Sequence, residues 1–282
     1  MECAGNRRAD MSKLRETEGI PWSDATISNC HYSGVKVSDV LEKVGLKRGT
    51  GLHVVFTNHS PVEEDNEFAS SIPIEKALAP DTILAYEMNN EPLTRDHGYP
   101  VRLIVPGYAG ARSVKWLDTI TVQEQETDNF YMTRDYKVLP EDVKDRDRDD
   151  MDKVWEETPP LQAMSVQSAI CSPKSGETVE SSDGTIEVMG YAVTGEDGPI
   201  KAVHISADEG KTWQDAEIVY QQGKYSWTIW RYRLSGITES TKIWSRAESS
   251  TGDLQPIKPH WNLRGVMSNG VSEITGLKVK ST

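Results

Sequence analysis

The first half of the chain alternates short apolar runs with polar, glycine-rich loops. Val40, Leu41 and Val44 lie at helical spacing, with Ser38 as the candidate N-cap and Gly45 as the candidate end of the helix. Short β-type runs follow at 53–56, 82–86 and 101–105. The pattern predicts a mixed α/β domain over residues 1–140.

From Gln162 onward, the pattern changes to strand-like alternation. Apolar and polar positions alternate at 186–188 and 203–205, and aromatic residues recur at 227–232. Asp208 and Gly210 form a turn before Trp213, which is typical of a β-hairpin. Regular short strands with turns between them predict an antiparallel, immunoglobulin-like sandwich over residues 162–282. The predicted fold class is therefore α+β.

A strongly charged stretch separates the two patterns. Residues from Glu141 to Lys153 are dominated by Asp, Arg and Lys, and Pro159 and Pro160 close the stretch. Such a composition is typical of a solvated connector between domains, so we expect an exposed linker at 141–161.

Composition excludes several classes of function. A net charge of -13 disfavours binding to nucleic acid or to an anionic membrane, so an anionic substrate would need a local basic pocket. No apolar run approaches the roughly 20 residues that span a bilayer, and no signal peptide is visible at the N-terminus. Three scattered cysteines match neither a disulfide framework nor a zinc motif, which favours a reducing compartment.

The candidate chemistry begins at Cys3-Ala4-Gly5-Asn6-Arg7-Arg8. Two neighbouring arginines would stabilise a thiolate at Cys3, as a nucleophile or a soft metal ligand. An ordinary cysteine near a terminus is the alternative.

A second basic segment runs from Arg95 to Trp116. Its four cationic residues, His97, Arg102, Arg112 and Lys115, lie close to glycine-rich turns, whose N–H groups can hold a phosphate. A strand–loop–strand with a solvated basic face is equally consistent with these residues. The segments Arg134-Asp135-Tyr136-Lys137 and Trp261-Asn262-Leu263-Arg264-Gly265, taken singly, are typical of ordinary surface or core segments.

Together, in this order and spacing, the four segments resemble the sulfite oxidase family of molybdenum–molybdopterin enzymes. The resemblance extends almost to the C-terminus, where residues 166–170 and 261–265 resemble the family's immunoglobulin-like dimerisation domain. It implies a homodimer that oxidises sulfite to sulfate and passes the electrons to a separate acceptor, a cytochrome or oxygen.

The resemblance also implies roles for single residues. Cys3 would ligate molybdenum, Arg8 and Arg264 would hold the sulfite oxyanion, and Trp22 would wall that pocket. Tyr136 would stand beside the metal with Asp135 as its neighbour. The implied molybdopterin contacts are His97, Arg102, Ser113, Val114 and Lys115.

A nitrate reductase is the rival interpretation, since it shares this architecture. The family pattern places Met at the Arg264 position and Asn at the Tyr136 position in nitrate reductases. Both residues here are of the sulfite type, which favours sulfite.

Some features depart from the family. The molybdopterin domain of relatives begins well before the segment at Cys3, so we expect an N-terminally truncated domain. A non-catalytic, dimerising paralogue is therefore a further alternative. Ser60 replaces a common pterin-binding Asp, and Glu18 replaces a vertebrate Lys near the pocket, which weakens local attraction for an anion.

No haem-ligating segment is apparent, so we expect no haem domain in this chain. No targeting segment is visible either. The family suggests a mitochondrial location, with peroxisomal or cytoplasmic locations as alternatives.

Overall fold

The computed structural model describes residues 1–46, 50–181 and 184–281. The chain forms two compact units. The first unit comprises residues 1–22, 26–163 and 261–266, and the second comprises residues 23–25, 164–260 and 267–282. The predicted domain bounds remain a prediction. The compact units divide the chain differently at two places. The predicted linker, 141–161, and residues 261–266 both belong to the first unit.

The first unit is mixed α/β, as the pattern predicts. Its helices are α1 (Arg8–Ser12), α2 (Val37–Lys43), α3 (Ile74–Ala77), α4 (Phe130–Thr133) and α5 (Met151–Glu157), with a 3₁₀ helix at Gly110–Arg112. Its strands are β1 (Tyr32–Lys36), β2 (His53–Asn58), β3 (Phe68–Pro73), β4 (Ile83–Met88), β5 (Glu91–Pro92), β6 (Arg102–Ile104) and β7 (Thr119–Gln123).

Two antiparallel sheets organise this unit. In one sheet β4 pairs with β1, β5 and β6, and in the other β2 lies between β3 and β7. Val54, Phe56, Ile72 and Leu103 are fully buried in a shared core, where side chains from both sheets exclude water. The core fixes β6, which lies within the basic segment.

The predicted helix is present as α2, but it begins one residue before Ser38. Lys36 occupies the N-cap position in an extended conformation, because β1 runs directly into the helix. Val37 and Leu41 are buried, whereas Val44 is 76% exposed. The apolar stripe predicted from the sequence is therefore shifted toward the N-terminus of the helix.

The segment predicted as an exposed connector is partly buried. Val143, Met151 and Trp155 pack against Leu139 and Met11 in a small cluster. Met151 and Trp155 lie four positions apart on α5, so one face of that helix is apolar despite the charged composition. The average composition of the segment did not predict this apolar face, because only a few large side chains form it.

The second unit is entirely β in its described residues. Its strands are β8 (Gln167–Ser172), β9 (Thr178–Ser181), β10 (Thr185–Val193), β11 (Ile200–Ser206), β12 (Gln214–Asp215), β13 (Glu217–Tyr220), β14 (Thr228–Ser235), β15 (Ile243–Ser249), β16 (Ser272–Ile274) and β17 (Lys278–Ser281).

Two antiparallel sheets form a sandwich, which is consistent with the immunoglobulin-like prediction. One sheet has the order β13-β14-β10-β8, and the other has the order β12-β11-β15-β16. Val188 and Trp230 from the first sheet pack in the same core as Val203 and Ala247 from the second, and all four are fully buried. The predicted hairpin is present between β11 and β12. Within the described residues, no helix is both long and apolar enough to cross a membrane.

Candidate functional site

The loop at Cys3 is held in place by backbone hydrogen bonds. The Cys3 N–H donates to the carbonyl of Thr26 at 3.0 Å, and the Gly5 N–H points to the Cys3 sulfur at 3.4 Å. This contact and the bond to Thr26 fix the position of the Cys3 sulfur relative to the loop. Arg7 turns away with a left-handed φ of 61° and donates to Asp10 at 3.0 Å. Of the two neighbouring arginines, Arg8 is therefore the one oriented for chemistry.

Arg8 lies against Arg264, although 256 positions separate them in the sequence. Arg8 Nε donates to the Arg264 carbonyl at 3.0 Å, and Nη1 donates to the Ile20 carbonyl at 2.9 Å. Burial lowers the pKa of Arg8, and the nearby positive charge of Arg264 lowers it further, whereas Cys3 raises it. The Arg8 side chain is therefore held against the backbone of Arg264, and the two cationic residues are a candidate anion site within an acidic chain.

Tyr136 and Asp135 adjoin this arginine pair. Arg264 Nη2 forms an ion pair with Asp135, and Tyr136 has a left-handed φ of 49°, a strained conformation for an aromatic residue. Burial, followed by the charges of Asp135 and Cys3, raises the pKa of Tyr136 to about 12. Its hydroxyl is therefore protonated at neutral pH and can donate a hydrogen bond. Trp22, 38% exposed, lies near Arg8 around Gly5.

A cavity of about 690 Å³ opens beside these groups. Its lining includes Glu2, Cys3, Asn58, Ser60, His97, Arg102, Ser113, Val114, Lys115, Trp116 and Tyr136. Cys3 and Tyr136 line the cavity and also interact electrostatically with Arg8. The candidate cofactor residues and the candidate substrate residues therefore meet at Cys3 and Tyr136.

The cationic part of the cavity is organised around Arg102. Its Nη1 donates to the His97 carbonyl and its Nη2 to the Ser113 carbonyl, both at 3.1 Å. Lys115 Nζ donates to the Asp96 carbonyl at 2.9 Å. Burial lowers the pKa of both Arg102 and Lys115, so an anionic group would stabilise the charged forms.

These residues fit a phosphate-bearing cofactor. Arg102 Nε is buried without a hydrogen-bond partner among the described residues, a state that normally indicates a missing ligand or water. A volume of this size suits a drug-sized ligand, and Cys3 places a single soft donor at one end. The donor set of one soft sulfur and two cationic side chains therefore fits a molybdenum–pterin group that carries a phosphate.

The other predicted cofactor contacts are His97, Ser113 and Val114, whose side chains are held by hydrogen bonds or by burial. His97 Nδ1 shares a hydrogen bond with the Thr94 hydroxyl at 2.7 Å. The Ser113 hydroxyl accepts from the Val105 N–H at 3.0 Å, and Val114 is almost fully buried. All three residues line the cavity, but Ser113 and Val114 shape it more through the backbone than through side chains.

Arg112, which the sequence grouped with the candidate phosphate-binding residues, does not line the cavity. Arg112 is fully buried, and its guanidinium donates twice to the Leu161 carbonyl, at 3.0 and 2.8 Å, and to Tyr131 O at 3.2 Å. Its Cζ lies 5.8 Å from the Tyr136 ring centroid. Arg112 therefore supports Tyr136 rather than the cavity, a distinction that a run of basic residues does not reveal.

Sequence reasoning also missed Glu2, which is buried in the cavity wall. Its carboxylate accepts from Asn6 Nδ2 at 2.9 Å, and burial raises the pKa of Glu2 to about 7. The sequence around Glu2 contains no apolar pattern that would predict its burial. Trp116 was not predicted as a site residue either. It has a left-handed φ of 52°, and Lys115 Nζ lies 4.2 Å from the centroid of its ring.

Both departures from the family lie at the site. Ser60 lines the cavity, and its N–H donates to the Asn58 side chain at 2.8 Å. Glu18 lies 3.4 Å from Arg264. The predicted roles of individual site residues stay predictions, and the structure places their side chains around one cavity and one arginine pair.

Comparison with known proteins matches both halves of the chain to protein-family models. Residues 1–131 match the oxidoreductase molybdopterin binding domain, and residues 158–275 match the Mo-co oxidoreductase dimerisation domain.

Individual relatives agree with these models. The mitochondrial sulfite oxidase of Drosophila melanogaster is 39% identical over 96% of this chain and 49% of its own length. The sulfite oxidase of Arabidopsis thaliana is 38% identical over 95% of this chain and 72% of its own length. The crystal structure of the sulfane dehydrogenase SoxCD from Paracoccus pantotrophus superimposes with a TM-score of 0.76 at 26% identity, covering 96% of this chain and 66% of that chain.

The chain spans about half the length of several relatives that it matches. The identity to the Arabidopsis protein, over most of both chains, establishes the relationship independently of that difference. The chain therefore belongs to the sulfite oxidase family of molybdopterin-dependent oxidoreductases.

Proposed function

We propose that this protein oxidises sulfite to sulfate by oxygen-atom transfer and passes the electrons to a separate acceptor. The observation that carries the proposal is that Arg8, which donates to the Arg264 carbonyl, lies within electrostatic range of the charged groups of Arg264, Cys3 and Tyr136. Paired guanidinium groups suit a small oxyanion, because their planar donors stay charged and bind oxygen atoms in pairs.

Arg8 and Arg264 would bind and orient the substrate. Arg264 Nε is buried and has no partner among the described residues, so it is a free donor for a substrate oxygen. A charge-assisted hydrogen bond of this kind contributes about 1.5–3 kcal/mol. Trp22 would form the outer wall and restrict access of water.

Cys3 would hold the molybdenum, and Arg102, Lys115 and His97 would hold the pterin and its phosphate. When bound, this cofactor supplies the oxidation states that accept two electrons as oxygen moves to sulfur. Ser113 and Val114 would shape the cavity wall through the backbone. None of these residues hydrogen-bonds to Arg8 or Arg264 among the described contacts.

Tyr136 would hold a proton at its hydroxyl and donate it in a hydrogen bond to a substrate oxygen. Its raised pKa keeps the hydroxyl protonated throughout the neutral range. Asp135 would orient Arg264 through their ion pair. The match of residues 158–275 to a dimerisation domain supports a homodimer formed through the second unit.

A direct test uses protein purified from a host that makes molybdopterin. We expect close to one molybdenum per chain and sulfite-dependent reduction of ferricyanide. Tyr136→Phe should lower kcat by about 10- to 100-fold, because the proton-donating hydroxyl is lost. The measurement is steady-state kinetics with molybdenum quantified in each preparation.

Tyr131→Phe provides the matched control, since Tyr131 donates to Glu64 at 2.5 Å and lies outside the proposed machinery. That variant should retain nearly full activity. Reduction of nitrate in place of sulfite oxidation, or no turnover by a molybdenum-loaded protein, would contradict the proposal.

A further inference from the structure

Glu18 occupies a position between two arginines at the edge of the anion site. Its Oε2 lies 3.4 Å from Arg264 Nη1 and 2.6 Å from Arg146 Nη2. Arg146 Nε lies 2.8 Å from Oε2 and 3.1 Å from Oε1. The backbone N–H of Glu18 donates to the Leu263 carbonyl at 2.7 Å. The carboxylate is therefore anchored next to Arg264 and shared with Arg146.

Carboxylates already bind Arg264, the arginine that we propose holds the substrate. Asp135 pairs with Arg264 Nη2, and Glu18 approaches Nη1. Only Nε is left without a partner among the described residues. An oxyanion that binds two nitrogens of Arg264 at once therefore meets a carboxylate at one of the Nη groups.

Of the two carboxylates that pair with Arg264, Glu18 is the one that an anion can displace more easily. Its contact with Arg264 is the longer of the two ion pairs, and its side chain is 34% exposed, against 19% for Asp135. Arg146 already binds Glu18 through two nitrogens, so Glu18 keeps a charged partner when it leaves Arg264. Losing an ion pair costs less when another remains.

We propose that Glu18 sets the oxyanion affinity of this site by competing with the bound anion for Arg264. The carboxylate shifts toward Arg146 as sulfite binds and returns toward Arg264 as sulfate leaves. This inference rests on the proposed function, since it assigns Arg264 to the oxyanion. Glu18 acts through Arg264 and is therefore an affinity-setting residue rather than a catalytic one.

Sulfate titration of the molybdenum-loaded protein by isothermal calorimetry tests the proposal without turnover. Glu18→Gln should bind sulfate about three- to tenfold more tightly, because a competing, partly exposed charge is removed. Glu16→Gln is the matched control, since Glu16 is an exposed carboxylate two residues away. It removes the same charge and should change the affinity by less than about twofold.

Arg146→Gln should have the opposite effect and weaken sulfate binding, because Glu18 would lose its alternative partner. Arg148→Gln is the control, since Arg148 pairs with Asp142 and Asp150 instead. In the variant that combines Glu18→Gln with Arg146→Gln, the effect of losing Arg146 should largely disappear, because the two residues act through one interaction.

Sulfite kinetics on the same preparations separate this inference from the proposed function. Glu18→Gln should lower KM for sulfite and the inhibition constant for sulfate together. Equal sulfate affinities in Glu18→Gln and Glu16→Gln, or no sulfate binding by any variant, would overturn the inference. If sulfate binding changes as expected while no variant oxidises sulfite, the competition at Arg264 is supported and the proposed reaction fails.

Discussion

Two glycines determine where the guanidinium of Arg8 can lie. A Cβ at Gly5 would come within 2.7 Å of Arg8 Nη2, and a Cβ at Gly265 within 2.5 Å of Arg8 Cγ. Gly265 also has a φ of +55°, which disfavours a side chain. The segments around Cys3 and Arg264 therefore share a steric requirement, since each leaves room for the same arginine.

A second residue-scale feature is the burial of Arg112. Its guanidinium is surrounded by carbonyl acceptors, and burial lowers the pKa of Arg112 to about 10, so the group remains charged at neutral pH. Backbone carbonyls can stabilise a buried cation in the absence of a carboxylate, provided that most of its donors are paired. Arg112 thereby connects residue 161 to the loop that presents Tyr136.

Arg112→Gln should lower the free energy of unfolding by about 3 kcal/mol, because the carbonyls of Leu161 and Tyr131 and the Ser70 hydroxyl lose their donor. Urea denaturation followed by circular dichroism measures this change. Arg134→Gln is the control, because Arg134 is 41% exposed, makes a 3.5 Å ion pair with Asp152 and donates to the carbonyl of its neighbour Thr133 at 3.4 Å. That exposed pair should contribute less than about 1 kcal/mol. Equal losses in the two variants would contradict the assigned role of Arg112.

At the scale of elements, the β11–β12 hairpin depends on the carboxylate of Asp208. Its Oδ1 accepts from the Thr212 N–H at 2.9 Å and from the Ser206 hydroxyl at 2.7 Å. Oδ2 accepts from the Thr212 hydroxyl at 2.6 Å. These donors, led by the Thr212 hydroxyl, lower the pKa of Asp208 to about 2. The ionised form therefore stabilises the turn.

The stabilisation by Asp208 should depend on pH with a definite sign. Because the folded-state pKa is below the ordinary value of 3.8, the contribution is present above that value and is lost as the pH falls toward 2. Asp208→Asn should lower Tm at pH 6, and the difference from the unmodified protein should shrink below pH 4. Thermal melts at several pH values measure this trend.

Glu209→Gln removes a charge from the same turn and is the natural comparison. Glu209 makes an exposed ion pair with Lys242 at 2.9 Å, so its loss should change Tm only slightly. A difference between Asp208→Asn and the unmodified protein that stays constant from pH 6 to pH 2.5 would contradict the assignment.

At the scale of the whole molecule, an acidic chain carries a cationic site. The net charge is -13, yet Arg102 and Lys115 line one cavity, and Arg8 and Arg264 lie near Cys3 and Tyr136 in its wall. Long-range attraction therefore favours cationic partners, whereas an anionic substrate depends on short-range contacts.

Small electron acceptors of opposite charge should reveal this difference. Raising the ionic strength should slow sulfite-dependent reduction of hexaammineruthenium(III) and accelerate that of ferricyanide, because salt screens attraction in one case and repulsion in the other. Stopped-flow kinetics at saturating sulfite measures both acceptors in the same preparation. The same direction of change for both acceptors would show that net charge does not govern the encounter.

Local patterning predicted several elements of the fold and missed others. Apolar runs of β2 and β6 and the alternation along β10 and β11 gave the strands in each half, since burial follows side-chain periodicity. The apolar face of α5 was missed because Met151 and Trp155 lie among charged residues. Helix α2 was predicted with a shifted boundary, because the incoming strand, rather than Ser38, determines where it begins.

By itself, the sequence determined the two-part α+β fold, the segments at Cys3, His97, Tyr136 and Arg264, and through their resemblance the family. Only the tertiary structure decided which side chains of those segments meet. Arg8 contacts a carbonyl 256 positions away, and Glu18 binds an arginine 128 positions away. Spacing along a chain carries no information about such distances, because folding brings distant segments together through burial of the core rather than through local propensity.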